Sequence, residues 1–433
     1  MAPTPQPHSV LVIDNGAYEI KAGLASNLVS NKGPQIFPNC VARSRDRHVY
    51  VGDQLRHCQD FSAMVFRRPF ERGNLSHWES EKAIWDRVIY GGDEVASGYP
   101  IIRPNETALI VTEPVAQLPV CSSNIDQIVF EEYGFATYLR TFAASLAHEN
   151  DIPDLFLTAR DTSLSESKAP PRRLAHPDTT LIVDLGYSAS TITPIIENVA
   201  FYPSIRKLTV GGKLLRNYLK ETISFRYYNM MDETYIVDKI KEQCCFISNS
   251  YDKDLETCKK VAFAKNPLSI EYVLPRATAT GFKQGHIREV SENRDPDDQI
   301  LTLANERFSV PEILFHPSDI GLQQAGLAEA IMQSVAAVPD PDVQDLLLSN
   351  VVFIGGSTLF PGFRKRIHDE LQTLVPSRVN LRMGFPDDPI SYTWQGGAKL
   401  GLKPSRLKAL QVTRREYQEH GSNICFRKFG KKH

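Results

Sequence analysis

Two stretches of the sequence share one pattern: VLVIDNGAYEIKAGL at residues 10–24 and TLIVDLGYSASTITPI at residues 180–195. In each, an apolar run rich in β-branched residues leads into Asp-x-Gly, and an alternating run follows, which is typical of a β-hairpin. Asp14 and Asp184 hold the same place in the two patterns. This repeat predicts two related α/β halves, each opening with a hairpin whose turn carries Asp-x-Gly.

A third glycine-rich stretch, NVVFIGGSTLFPGFRKRI at residues 350–367, predicts a strand, a Gly-Gly turn and a helix with Pro361 near its start. Glycine turns suit oligophosphates because backbone N–H groups can then approach the phosphate oxygens closely. A divalent ion on those phosphates needs carboxylates, usually through water. Two facing Asp-x-Gly hairpins supply both, and Lys21 adds a positive charge. The sequence therefore predicts a phosphate site between two lobes, although it carries neither the dinucleotide fingerprint nor the P-loop motif.

Two amphipathic helices are predicted between the glycine turns. Residues 78–88 place Trp78, Ile84 and Val88 near one face, and residues 322–338 repeat apolar side chains at helical spacing. Ser318 is a candidate cap for the second helix, and the prolines at 339 and 341 stop it. Both apolar faces are expected to pack against a protein core.

The overall composition narrows the class of protein. The chain has 433 residues, enough for about three domain-sized units, with 49 Lys and Arg against 51 Asp and Glu. This balance gives no global electrostatic case for binding nucleic acid or an anionic membrane. An odd number of cysteines without a C-x-x-C pair, and a polar start without an apolar leader, predict a soluble intracellular protein with unpaired thiols. The histidines and cysteines show no metal-ligand spacing.

Three segments differ in composition from the rest. Residues 148–178 are rich in proline and serine and predict a flexible insertion. Its apolar patch, IPDLFL at residues 152–157, is a candidate for capture by a partner protein, and the alternative is a tolerated insertion without contacts. Residues 288–298 predict a second exposed loop. Residues 251–298 as a whole are the next candidate for partner contacts.

Seven stretches resemble the actin family, in the family's order and over nearly the whole chain. They are DNGAYEIKAGLA, YVGDQL, RPFERGNLSHWESEKAIW, QIVFEEYGF, ERFSVPEILFHPS, FIGGSTLFPG and VTRREYQEHG. The resemblance implies an actin-like fold: α/β, with duplicated ribonuclease-H-like lobes around a nucleotide cleft. It also implies a first lobe at residues 1–178, including the variable insertion, a second lobe at 179–390, and a C-terminal segment, 391–433, that returns to the first lobe.

Within the family, residues 224–246 and 271–275 resemble the sixth class of actin-related proteins. That class implies a non-catalytic structural subunit of SWR-class chromatin remodellers, which exchange a histone dimer for one carrying the Z-type variant. It further implies the nucleus, with the cytoplasm as a second location, and partners that include the motor ATPase and a small zinc-containing subunit. Nucleosomes or histones are then reached indirectly. The alternatives are an actin-fold ATPase or phosphotransferase acting on its own, and a filament-forming protein.

The resemblance also implies which residues contact a nucleotide. The ligand is ATP or ADP with Mg²⁺, and Asp14 and Asp184 hold the metal through water. The implied phosphate turns contain Asn15, Gly16 and Gly186, and Lys21 is the charge near the phosphates. Lys241 and Glu242 are the pair beside the adenosine. The segment over the base contains Gly355, Gly356 and Phe360.

The departures from the family pattern cluster around the terminal phosphate. Ala17 stands in place of a serine, Ala143 in place of the water-positioning glutamine, and Thr191 in place of a nearby histidine. A methyl group cannot orient a nucleophilic water, so efficient hydrolysis is not expected. Tyr18 replaces a glycine and is expected to crowd the first turn. The remaining departures are in the second turn and over the base: Leu185, Tyr187, Ser188 and Phe360.

The stretch between Val41 and Tyr50 bears on self-association. The chain reaches VGD at residues 51–53 sooner than actin does, so most of the outer-lobe loop that contacts the next subunit is missing. A filament is a heterologous interface repeated without closure, and the loss of one face stops it. We therefore expect no self-polymerisation.

Overall fold

The computed structural model describes residues 9–58, 61, 64–91, 102–156, 177–278, 281–289 and 291–430. In chain order its strands are β1 (Ser9–Asn15), β2 (Glu19–Leu24), β3 (Gln35–Pro38), β4 (Val41–Arg43), β5 (Val49–Val51), β6 (Val65–Arg67), β7 (Phe70–Glu71), β8 (Asn74–Leu75), β9 (Thr107–Glu113), β10 (Thr137–Phe142), β11 (Thr180–Leu185), β12 (Ser190–Ile196), β13 (Val199–Ala200), β14 (Arg206–Leu208), β15 (Ile270–Val273), β16 (Arg276–Thr278), β17 (Gly281–Lys283), β18 (His286–Ile287), β19 (Ile300–Leu303), β20 (Val351–Ile354), β21 (Met383–Gly384) and β22 (Val412–Thr413). Its α-helices are α1 (Ser26–Val29), α2 (Trp78–Tyr90), α3 (Pro119–Gln127), α4 (Ala143–Ala147), α5 (Gly212–Arg226), α6 (Thr234–Cys244), α7 (Tyr251–Lys260), α8 (Glu306–Glu312), α9 (Leu327–Ala336), α10 (Pro341–Leu348), α11 (Phe363–Leu374), α12 (Tyr392–Gly401), α13 (Pro404–Leu410), α14 (Arg414–His420) and α15 (Ser422–Phe429).

The first predicted hairpin lies at the centre of a six-stranded mixed sheet, around which the first lobe is built. The strand order is β22–β10–β9–β1–β2–β3, with β1 antiparallel to β2 and parallel to β9. The alternation in the sequence buries Leu11, Ile13 and Ile20 completely in one apolar core. Strand β22 comes from the C-terminal part of the chain and pairs with β10. The chain therefore returns to the first sheet after it has built the second.

The second predicted hairpin, β11–β12, occupies the matching place in a second sheet, around which the second lobe is built. Its strands follow the order β13–β12–β11–β20–β21, and β14 pairs with β12 at one side. Leu181 and Val183 enter the larger apolar core of this lobe. Strand β20 runs parallel to β11 and ends at the Gly-Gly turn, after which α11 begins. The strand, turn and helix predicted for residues 350–367 are thus confirmed.

Of the two predicted helices, the first is confirmed and the second begins late. Helix α2 starts at Trp78 and buries Ile84 and Val88. Helix α9 starts at Leu327, five residues after the predicted start, because the preceding Gly326 is extended and Ser318 lies in a separate short turn, Pro317–Ile320. The predicted cap at Ser318 is therefore wrong.

The predicted flexible insertion is wrong for its first nine residues. His148 is buried, and its ring nitrogens bond the Thr180 hydroxyl at 2.8 Å and the Asn198 side-chain oxygen at 3.0 Å. Ile152 is fully buried in a cluster with both sheets, and Phe156 packs on the same cluster. These apolar side chains are part of the protein's own core and are not a free anchor for a partner. Residues 157–176 lie outside the described residues.

The described residues of the predicted loop at 288–298 have no regular structure, but ion pairs hold them in place. The Arg288 guanidinium contacts the Glu271 carboxylate at 2.5 Å, and the Asp298 carboxylate lies 3.0 Å from Arg276 and 3.4 Å from Lys283. None of the seven cysteines forms a disulfide, as predicted. Within the described ranges, no helix combines the length and the apolar character that crossing a bilayer requires.

Candidate functional site

The turn of the first hairpin is fixed by its own backbone and by a neighbouring side chain. The Gly16 N–H donates to the Asp14 carbonyl at 3.0 Å, and the Asn39 amide donates to the Gly16 carbonyl at 3.0 Å. A Cβ on Gly16 would lie 2.6 Å from the Glu19 carbonyl oxygen, so the turn has no room for a larger residue. The sequence folds locally in this way because glycine permits this close approach.

Two side chains surround the Asp14 carboxylate. The Thr112 hydroxyl, at the end of β9, donates to Asp14 Oδ1 at 2.9 Å and accepts from the Asn15 N–H at 2.8 Å. The Lys21 ammonium lies 3.7 Å from Asp14 Oδ2. The Asp14 carboxylate therefore has both a hydrogen-bond donor and a positive charge close to it. Sequence reasoning missed Thr112, because a threonine that ends a buried apolar strand carries no local signal of this contact.

The turn of the second hairpin is held by the chain that leads into helix α5. The N–H groups of Gly212 and Lys213 donate to the carbonyls of Gly186 and Tyr187 at 3.1 and 2.8 Å. Asp184 opens onto the cleft and has protein on its other sides. Burial and the nearby charge of Asp14 raise the pKa of Asp184 to about 7, although Lys21 opposes the shift. A cation between the two carboxylates would relieve both causes of this shift.

The turn after β20 closes the third side of the site. Gly355 has a φ of 93°, in the left-handed region that favours glycine. A Cβ there would lie 2.6 Å from the Leu185 carbonyl oxygen and 2.9 Å from Asp184 Oδ1. The Gly355 N–H donates to the Pro389 carbonyl at 2.9 Å. Glycine at this position thus lets the third turn lie directly against the second hairpin.

These three turns line one cavity of about 510 Å³ between the lobes, which is within the range of small-molecule sites. All eleven residues predicted from the resemblance line it: Asp14, Asn15, Gly16, Lys21, Asp184, Gly186, Lys241, Glu242, Gly355, Gly356 and Phe360. Sequence reasoning missed Lys207 on β14, which also lines the cavity and whose pKa is lowered by burial.

Comparison with known proteins identifies the family. The actin family, described as Actin, matches residues 6–430. The chain belongs to the actin family. It is 40% identical to actin-related protein 6 of Neurospora crassa, covering 98% of this chain and 94% of the relative. It is 39% identical to actin-like protein ARP6 of Yarrowia lipolytica, covering 97% of each, and 34% identical to actin-related protein 6 of Drosophila melanogaster, covering 96% and 98%.

The residues of this actin-family cleft fit a nucleotide with a divalent cation. The glycine turns line the cavity, Lys21 adds a positive charge, and the two aspartates face the same cavity from opposite lobes. A bound cation would add a second opposite charge near Asp184, beside that of Lys21. In the described part of the chain no three potential metal-ligating side chains lie together.

The predicted nucleoside side of the cleft is built from helix α6. The Lys241 ammonium donates to Asp238 at 2.8 Å, and Lys239 donates to the Glu242 carboxylate at 2.9 Å. Lys241 and Glu242 both reach the cavity, and Phe360 faces it from the third turn. The pair is therefore ordered by partners on its own helix before any ligand binds.

The departures from the actin pattern also line the cavity. Ala17, Ala143 and Thr191 contribute two methyl groups and one hydroxyl to the wall near the aspartates. The expectation that Tyr18 crowds the first turn is wrong. Its ring extends across the cleft and lies 4.7 Å from the ring of Tyr187, centre to centre.

Proposed function

We propose that this actin-related protein is a non-catalytic structural subunit of an ATP-dependent chromatin-remodelling complex that exchanges a histone for its Z-type variant. The observation that carries the proposal is the similarity to proteins named actin-related protein 6 over 98% and 97% of the chain. The class resemblance in residues 224–246 and 271–275 agrees with it. Its working location is the nucleus, and its partners are the motor ATPase and a small zinc-containing subunit.

The cleft supports a structural use of nucleotide. Asn15, Gly16, Gly186, Gly355 and Gly356 would hold the phosphates and the ligand's base end, with Asp14 and Asp184 on the metal's water shell. The bound group supplies negative charge and a cation that join the two lobes. Any ligand that binds only the folded protein stabilises it, by about 2.7 kcal/mol at a hundred times its dissociation constant.

The same cleft argues against efficient hydrolysis. Ala17 and Ala143 present methyl groups where the family pattern has a hydroxyl and an amide, so neither can hold the terminal phosphate or orient water. The loss of one such polar group commonly lowers the rate of the chemical step by about 10²–10³-fold.

The experiment that tests the proposal is affinity purification of the endogenous protein under native conditions, followed by identification of stoichiometric partners and a phosphate-release assay. We expect a motor ATPase and a small zinc-containing protein in equal amounts, and no phosphate release by the isolated chain above background. Recovery of the chain alone would contradict the proposal. Sustained phosphate release that Asp184→Ala abolishes would favour the alternative, an actin-fold ATPase acting on its own.

A further inference from the structure

Two tyrosines that follow the phosphate turns meet across the cleft. Tyr18 comes from the first hairpin and Tyr187 from the second, and their rings lie 4.7 Å apart at an angle of 39°. Aromatic pairs at this separation attract each other beyond the area that they bury. The pair therefore joins the two lobes at the level of the phosphate turns, by side chains that the chain itself supplies.

Arg68 completes this contact. Its guanidinium carbon lies 4.4 Å from the ring centre of Tyr18 and 5.1 Å from that of Tyr187. One of its nitrogens donates to the carbonyls of Tyr18 and Asn39 at 2.9 and 3.3 Å. Both rings are therefore held by one cation, whose own position is fixed by the backbone of the first lobe.

The contact continues into the wall that carries the predicted nucleoside pair. Arg216 donates to the Tyr187 hydroxyl at 2.6 Å and lies 3.5 Å from the Asp238 carboxylate. Asp238 in turn accepts from Lys241 at 2.8 Å. An unbroken series of contacts thus runs from Tyr18 in the first lobe to the side chain predicted to lie beside the adenosine.

A second aromatic contact joins the two lobes. Tyr235 at the start of α6 stacks on Phe61, with ring centres 4.0 Å apart and an angle of 12°, and lies 6.1 Å from Phe66. Phe61 and Phe66 belong to the first lobe and Tyr235 to the second, so this contact joins the same two lobes as that of Tyr18 with Tyr187. Two aromatic contacts therefore join the lobes.

We propose that Tyr18, Arg68 and Tyr187 form a latch across the cleft, at the level of the phosphate turns, that holds the lobes closed and sets the rate at which nucleotide leaves. The statement about the rate of nucleotide release rests on the proposed nucleotide site. The statement that the latch holds the lobes closed does not, because all three side chains of the latch belong to the chain. A glycine at the place of Tyr18, which the family pattern has there, could not form it.

The test uses the full chain in two measurements. The first is dissociation of a fluorescent ATP analogue in wild type and in Tyr18→Ala, Tyr187→Ala and the double variant. We expect dissociation about tenfold faster in each single variant, with no further acceleration in the double variant because either change opens the same latch. Tyr18→Phe keeps the ring and should exchange at the wild-type rate, and Tyr228→Ala, on a partly exposed tyrosine outside the cleft, is the matched control.

The second measurement needs no nucleotide binding. Amide hydrogen exchange of residues 14–18 and 184–188 in nucleotide-free protein should accelerate in Tyr18→Ala and Tyr187→Ala, and remain at the wild-type rate in Tyr18→Phe. Unchanged exchange in both alanine variants would overturn the latch, whatever the analogue does. Accelerated amide exchange in a protein that binds no ATP analogue would retain the latch and contradict the nucleotide site instead. Circular dichroism of each variant confirms that it is folded.

Discussion

The two Asp-x-Gly hairpins have the same backbone register and different surroundings. Asp14 pairs with Lys21 across the first hairpin, and Asp184 pairs with Thr191 across the second, seven positions on in each case. On the neighbouring parallel strand, Thr112 bonds the first aspartate, whereas Ile354 lies beside the second. The duplicated frame thus places two carboxylates symmetrically, but among the described residues only the first is given a hydroxyl donor by its neighbouring strand.

This difference assigns separate roles to the two halves of the site. The first hairpin compensates its carboxylate with a cation and a hydroxyl, and its turn is held by the side chains of Asn39 and Thr112. The second hairpin leaves its carboxylate with a pKa raised to about 7 and is held by backbone contacts from Gly212 and Gly355. Electrostatic stabilisation by a bound cation is therefore expected chiefly at the second hairpin.

The largest expected effect concerns the support of the first turn. Glu81 is fully buried, accepts from the Trp85 indole at 3.1 Å, and has its pKa raised to about 7 by burial, despite hydrogen bonding with Asn15, Asn39 and Trp85. Its Oε2 and the Asn39 Oδ1 are both buried without a hydrogen-bond partner among the described residues. When Oε2 carries a proton, the Glu81 carboxyl is neutral, so an unpaired charged oxygen is no longer buried there.

Because the folded-state pKa of Glu81 is above its ordinary value of 4.5, the protonated form stabilises the fold, and this contribution is lost as pH rises through 7. The unfolding free energy of the wild type should therefore fall by about 3 kcal/mol between about pH 4.5 and about pH 8 because of Glu81. In Glu81→Gln this contribution to the pH dependence should be absent. Urea unfolding at several pH values measures it. Glu79→Gln, on the same helix, should follow the wild-type curve, and a Glu81→Gln curve that also follows it would contradict the expectation.

The second prediction concerns the backbone support of the second hairpin. Gly355→Ala places a Cβ against the backbone of Leu185 at a positive φ, and should lower the unfolding free energy by about 2 kcal/mol. Gly356→Ala is the matched control, because no atom lies within 4 Å of its Cβ position. Urea unfolding of both variants at neutral pH compares them. Equal stability of the two would show that the third turn does not constrain the second hairpin.

The smallest effect concerns the hydroxyl that partners the first aspartate. Thr112→Val removes the hydroxyl on β9 that donates to Asp14 and accepts from Asn15. It should lower the unfolding free energy by about 1 kcal/mol. Thr191→Val in the second hairpin should cost less, because its hydroxyl makes no hydrogen bond to the part of the chain that the structure describes. Thermal unfolding resolves the difference. A larger loss for Thr191→Val than for Thr112→Val would reverse the comparison between the hairpins.

Much of the candidate site could be predicted because its signals are local. Asp-x-Gly after an apolar run gives both hairpins, and the Gly-Gly after β20 gives the third turn. The start of α9 could not be predicted, since Gly326 is extended for a tertiary reason: a Cβ there would lie 1.9 Å from the Phe315 carbonyl oxygen. The packing of residues 148–156 was missed because a proline-rich, serine-rich composition does not show which apolar side chains meet a distant sheet.

The sequence by itself determined the duplicated α/β frame, the three glycine turns and the family, since each depends on residue types at fixed spacing. Only the tertiary structure decided what surrounds them: Thr112 on Asp14, Glu81 beneath the first turn, and Arg68 between Tyr18 and Tyr187. The physical reason is that periodicity fixes which face of a strand or helix is buried. The partner that each buried polar group or ring meets depends on how elements far apart in the chain pack together.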